Sequence, residues 1–165
     1  MNFSDEILQK FQVIFALLQK KNLFIAIAES CTGGLLSALF TEKAGSSKIF
    51  DRGFVVYSNQ SKIDMLEVKK ELIDSYGAVS HEVALAMAKG VLKKSHSDIS
   101  IAITGIAGPD GGSIEKPVGT IFIAIANDKN FLCEKFNFGN CRQINRQKTL
   151  ESSLDLLNFF LENKL

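Results

Sequence analysis

The chain has 165 residues, 46% of them hydrophobic and 22% charged, a composition that builds one well-buried core and excludes disorder. Nineteen basic residues against eighteen acidic ones leave a net charge of +1, a field too weak to recruit a phosphate backbone or an acidic membrane, so neither nucleic acid nor membrane is an expected partner. Three cysteines without CxxC or His-rich spacing argue against a disulfide framework and a structural zinc site, so free thiols and no metal are expected. No apolar run approaches bilayer length and the stretch from Met1 to Glu6 lacks signal-peptide character, which predicts a cytoplasmic location.

Ser4 has the character of an N-cap, and Ile7, Leu8, Phe11, Ile14, Phe15 and Leu18 recur at helical spacing up to Lys20-Lys21-Asn22, predicting a first helix. Leu23 to Ala28 is an unbroken apolar run that reads as a buried strand, and Gly33-Gly34 turn the chain into a helix over 35–40. Gly45-Ser46-Ser47 marks a loop, residues 53–57 a second strand, and Ser58 to Lys62 the start of a short helix. Gly77 ends the next helical piece, and Ser80 caps a helix over 80–94 with Val83, Ala84, Met87, Ala88, Val91 and Leu92 along one face.

Ile99 to Ile103 reads as a third strand running into the glycine-rich loop 105–112. Residues 119–126 and 131–138, joined by Asn127-Asp128-Lys129-Asn130, read as an antiparallel hairpin, and an amphipathic helix follows from Gln143. No internal repeat or linker interrupts the pattern. The expected fold is α/β, a single-domain layered fold with a central mixed β-sheet flanked by helices, over 1–165.

Ligand crevices in open α/β sheets lie at strand ends, so the exits at 28–34, 57–62 and 104–112 read as one locus. They supply a serine and a thiol side by side, a Tyr and Lys pair, and a cradle of backbone N–H groups. A serine nucleophile needs a base. His81 and His96 lie in polar settings that suit solvated surface, which leaves Lys62, with Tyr57 to relay or orient a proton. For that role Lys62 has to titrate some ~2 to 3 pH units below its free value near ~10.4, through burial. The ordinary fate of such residues is a solvated helix lysine and, for Tyr57, a core position at a strand end. Cys31 is the rival nucleophile, with Glu29 and Lys62 in a Glu-Lys-Cys arrangement. Strand alternation would send Ser30 and Cys31 to opposite faces. Helix N-terminal N–H groups after Gly34 are expected to face a developing oxyanion.

The segments Ala28–Gly34, Gly45-Ser46-Ser47, Phe50–Asn59, Lys62, Gly77–Ser80, Thr104–Gly112 and Glu115–Thr120, in this order, resemble the nicotinamide-nucleotide amidohydrolase family, also known as the C-terminal domain of the competence/damage-inducible CinA proteins. The resemblance implies hydrolysis of the carboxamide of nicotinamide mononucleotide to nicotinic acid mononucleotide and ammonia, without metal or other cofactor, in pyridine nucleotide salvage. It makes Ser30 the nucleophile and Tyr57 and Lys62 its partners. Cys31, Thr32, Gly33 and Gly34 would bind around the oxyanion, and Thr104, Gly105, Ala107 and Gly108 would face the nucleotide.

Arginines open the last helix in the family, similar to Arg142 and Arg146 here. The turn Gly139-Asn140-Cys141-Arg142 is one residue longer than the family's usual one, which favours Arg146 over Arg142 as the phosphate ligand. Full-length relatives often carry an additional N-terminal domain resembling molybdopterin-binding proteins, and a stand-alone domain is expected here. A small-molecule nucleotide is the expected partner and a homodimer the expected assembly. The alternatives are a nucleotide-binding module without turnover and a Cys31-based amidase.

Overall fold

The computed structural model describes residues 3–139 and 141–163. Met1 and Asn2, at the start read above as lacking a leader, and Asn140, in the turn before the last helix, lie outside the described residues. The elements run α1 (Asp5–Lys21), β1 (Ile25–Glu29), α2 (Leu35–Glu42), β2 (Phe50–Val55), α3 (Asn59–Leu66), α4 (Lys70–Tyr76), α5 (His81–Lys94), β3 (Ile99–Gly105), β4 (Thr120–Ala126), β5 (Phe131–Asn137) and α6 (Arg142–Asn163), with a short 3-10 turn at Ser46–Lys48. Ser4 accepts a hydrogen bond from the Ile7 N–H and Ser80 one from the Val83 N–H, so both predicted N-caps form. No helix among the described residues is long and apolar enough to cross a membrane.

The five strands form one mixed sheet in the order β2-β1-β3-β4-β5, with β1 parallel to β2 and β3, and β4 antiparallel to both β3 and β5. The alternation along the central strands sorts the two faces by size. Ile25, Ile27, Ile99, Ile101, Ile103, Ile121, Ile123 and Ile125 pack against α1, α2 and α6, whereas Ala26, Ala28, Ala102, Ala124 and Ala126 face α5 and its neighbours. Branched side chains fill the wider layer, and alanines let α5 lie close to the sheet. Gly90 extends that economy: a Cβ there would stand 2.2 Å from the Leu66 carbonyl oxygen, so α3 and α5 meet at this distance only through glycine.

β2 lies three residues earlier than expected at its start and two earlier at its end. Its register against β1 runs from Ile25↔Phe50 to Glu29↔Val55, and the Val56 N–H still reaches the Glu29 carbonyl at 2.8 Å before Ser58 caps α3. Val56 is buried, but Tyr57 falls beyond the strand and is 62% exposed, which corrects its reading as a core residue. β2 is an edge strand, so hydrophobic pattern alone fixes its limits weakly. The last helix also starts one residue early, at Arg142.

Chain order then concentrates the polar exits. From β1 the chain passes through α2 to β2 on one side, then crosses back over α3, α4 and α5 to β3 on the other. The carboxyl ends of β1 and β3 therefore diverge in their onward connections and leave a crevice between them, the usual ligand position in such sheets.

Candidate active site

The site begins with how β1 ends. Glu29 is wholly buried, and its carboxylate accepts hydrogen bonds from the N–H groups of Gly34 at 3.1 Å, Leu36 at 3.0 Å and Ser37 at 2.8 Å, and from Ser37 Oγ at 2.7 Å. A carboxylate on a helix N-terminus is well placed against the dipole and the orphan donors. Gly33 and Gly34, at φ +62° and +92°, make the turn that allows this. The N–H groups of Gly34, Leu36 and Ser37 are thus committed to Glu29, so they do not face the crevice as expected. The Gly33 N–H goes to the Ser30 carbonyl at 3.1 Å, and the donors left uncommitted in the turn, among the described residues, are the N–H groups of Cys31 and Thr32. Nor does Glu29 belong to a Glu-Lys-Cys arrangement, because its oxygens are turned into α2.

Lys62 comes from the first turn of α3 and is 1% exposed. Its Nζ lies 3.1 Å from Ser30 Oγ, and it donates to the carbonyls of Val56 at 2.8 Å, Tyr57 at 3.3 Å and Ser58 at 3.4 Å. The backbone curls round the amine because β2 runs out into the α3 N-terminus. Burial lowers the Lys62 pKa from 10.5 to about 8, with a small opposing effect of Cys31. A neutral amine has two N–H donors and one lone pair. With three carbonyls and the Ser30 hydroxyl around it, the neutral amine can place both N–H groups on carbonyls and turn its lone pair to the Ser30 O–H.

Ser30 and Lys62 open into a cavity of 260 Å³ whose lining includes Cys31, Tyr57, Thr104, Gly105, Ala107, Gly108 and Arg142. The three strand exits meet there. Thr104 donates from Oγ1 to the Ala78 carbonyl at 2.8 Å, and the buried Asn145 donates from Nδ2 to the carbonyls of Ala107 and Gly139 at 2.9 and 3.0 Å. Thr104 therefore ties the β3 exit to the segment before α5, and Asn145 ties the glycine-rich loop to α6. Sequence reasoning missed Asn145, whose signal was a polar residue on the buried face of an amphipathic helix. Asn59, Ala78, Val79, Ile106, Asp110 and Gly111 also line the cavity; all six fall within the segments that carry the family resemblance, but none was singled out as a site residue.

Three expectations change. Thr32, Gly33 and Gly34 do not line the cavity: they shape the turn behind it. Ser30 and Cys31 both border the cavity, since the strand stops at Glu29 and alternation no longer holds. Burial, reinforced by Glu29, pushes the Cys31 thiol up to about 12, which leaves it protonated and unreactive near neutrality. Arg142 and Arg146 exchange places: Arg142 lines the cavity and donates to the Gly108 carbonyl at 3.0 Å, whereas Arg146 donates to the Thr32 carbonyl at 2.7 Å from behind the turn. One helical turn separates them on α6, and only the first faces the crevice.

Tyr57 borders the cavity, but what it gives Lys62 is its carbonyl: its phenol bonds neither Ser30 nor Lys62. His81 and His96 are exposed, as expected. Cys31, Cys133 and Cys141 are free thiols. No group of three potential metal ligands converges among the described residues.

A family model described as the CinA C-terminal domain matches residues 8–161. The chain belongs to the CinA C-terminal domain family. A CinA-like protein from Geotalea daltonii is 48% identical over 147 residues, covering 89% of this chain and 35% of that protein. A putative competence-damage inducible protein from Desulforudis audaxviator is 42% identical over 160 residues, covering 97% of this chain and 38% of that protein. The chain thus spans about a third of the length of the curated relatives it matches. Among solved structures, the competence/damage inducible protein CihA from Agrobacterium tumefaciens superposes with a TM-score of 0.94 at 41% identity, covering 99% of both chains. CinA-family membership and the mixed-sheet α/β fold follow together.

Proposed function

We propose that this CinA-family domain is a serine amidohydrolase that converts nicotinamide mononucleotide to nicotinic acid mononucleotide and ammonia. The observation that carries the reading is the 3.1 Å approach of a buried lysine amine to the Ser30 hydroxyl within a cavity. Neutral Lys62 accepts the Ser30 proton as Oγ bonds to the amide carbon. The negative charge on the amide oxygen is met by the N–H group of Cys31, the turn residue that lines the cavity beside Ser30. The C–N bond then breaks, and the Lys62 ammonium returns its proton to the leaving nitrogen, which departs as ammonia. Water attacks the acyl ester with Lys62 again taking a proton, and the carboxylate leaves with Ser30 restored.

The nucleotide fits the rest of the lining. Arg142 supplies a cation for the phosphate, and the N–H groups of Ala107 and Gly108, which have no partner among the described residues, lie in the lining where Gly108 allows close backbone approach. Tyr57 acts through its carbonyl and its ring, which stands at the cavity edge as a surface for an aromatic base.

Ammonia release from nicotinamide mononucleotide tests the reading directly. Wild type should release it, and Ser30→Ala and Lys62→Ala should lose at least ~10³-fold in kcat while keeping the native fold. The rate should rise with pH, because the neutral form of a lysine titrating at about 8 increases about tenfold between pH 7 and pH 9. Full activity in Ser30→Ala sinks the assignment. Tight nucleotide binding without ammonia would leave a binding module instead.

A further inference from the structure

Arg146 stands outside the cavity that holds Ser30 and Lys62. It borders a second cavity, lined by Phe3, Ile7, Leu35 and Leu150 among others, that shares no lining residue with the first. We propose that Arg146 is a positioning residue: its guanidinium pins the Thr32 carbonyl so that the N–H group of the preceding Cys31 stays aimed at the oxyanion. The inference rests on Ser30 being the nucleophile.

The turn from Ser30 to Gly34 closes on itself through the Gly33 N–H and the Ser30 carbonyl at 3.1 Å, and it is tied to β3 where the Ser30 N–H meets the Ile103 carbonyl at 3.0 Å. It is held at two further points. Glu29 takes the N–H groups of Gly34, Leu36 and Ser37 at its far end. Arg146 Nη2 takes the Thr32 carbonyl in the middle, at 2.7 Å and from 114 residues away. The N–H of Cys31, which lines the cavity, has no acceptor in another residue among the described residues, and Gly33 and Gly34 follow in left-handed conformation. Glycines leave such a turn free to reorient, and misaimed donors stabilise no transition state. The clamp removes that freedom.

Its cost argues the same way. Arg146 Nε and Thr32 Oγ1 are both buried without a partner among the described residues. An orphaned donor on a cation makes a poor stabilising device, so packing alone does not account for arginine here. The geometry it imposes on the turn does.

Steady-state ammonia release by the full chain, for wild type, R146Q, R146K and R142Q, separates a clamp from a phosphate ligand. R146Q should lower kcat by about 10- to 100-fold with KM within about twofold, R146K should recover part of the loss, and R142Q should raise KM instead. A raised KM with unchanged kcat in R146Q overturns the proposal, as does an R146Q enzyme equal to wild type in both constants. A second readout is independent of the substrate: the rate at which a fluorophosphonate labels Ser30, forming the O–P bond and expelling fluoride. R146Q should label at least about tenfold more slowly at equal thermal stability, and should R146Q fail to fold, R146K carries both measurements. Wild type that labels without releasing ammonia removes the nicotinamide substrate but keeps the clamp open to this test. Wild type that does neither removes the nucleophile and the clamp together.

Discussion

Replacing Lys62 with methionine should make the protein more stable near neutral pH and less stable in base. Lys62 is 1% exposed and titrates at about 8 instead of 10.5, which corresponds to about 3 kcal/mol of burial cost on the ammonium form. Below pH 8 the ammonium persists in both folded and unfolded chains, so the folded protein bears that cost in full. Between pH 8 and 10.5 the folded protein has released the proton while the unfolded chain keeps it, so wild-type stability rises with pH. Above 10.5 the penalty is gone.

Methionine abolishes the penalty but leaves a carbonyl behind. Of the three that Lys62 engages, the one on buried Val56, at 2.8 Å, loses its partner, while Tyr57 and Ser58 are exposed enough to be hydrated. An orphaned buried carbonyl costs about 1 to 2 kcal/mol. Lys62→Met should therefore be more stable than wild type by about 1 to 2 kcal/mol at pH 7 and less stable by a similar amount at pH 10.5. Urea unfolding of both proteins across that range measures the difference, in which titrations common to both cancel. A difference that stays constant with pH would refute the buried-amine reasoning, whatever the activity data say.

Gly90→Ala places a methyl 2.2 Å from the Leu66 carbonyl oxygen, and a loss of about 2 to 4 kcal/mol in urea unfolding is expected because backbone has to move. Iodoacetamide at pH 7 followed by peptide mapping should modify exposed Cys141 first and spare Cys31, whose thiol is buried and held near 12. Ammonia release should survive that treatment, and loss of activity in step with Cys31 modification would reinstate the thiol as nucleophile. Glu29→Gln puts an amide donor against N–H groups that need an acceptor. It should cost about 1 to 3 kcal/mol of stability by thermal or urea unfolding, and an unchanged melt would show that the turn does not depend on this carboxylate.

The sequence alone determined the layered α/β fold, since its Ile/Ala alternation, helical periodicity, caps and glycine punctuation are local signals that the sheet and helices obey. It also identified Ser30 and Lys62 as a chemically sensible pair and the three strand exits as one locus, because strand ends in open sheets share an edge. Only the tertiary structure decided where each donor points. Glu29 claims the N–H groups of Gly34, Leu36 and Ser37, β2 stops short so that Tyr57 leaves the strand, and one helical turn sends Arg142 into the cavity and Arg146 behind it. Each of those outcomes depends on which groups meet across more distant stretches of chain, and periodicity carries no information about such encounters.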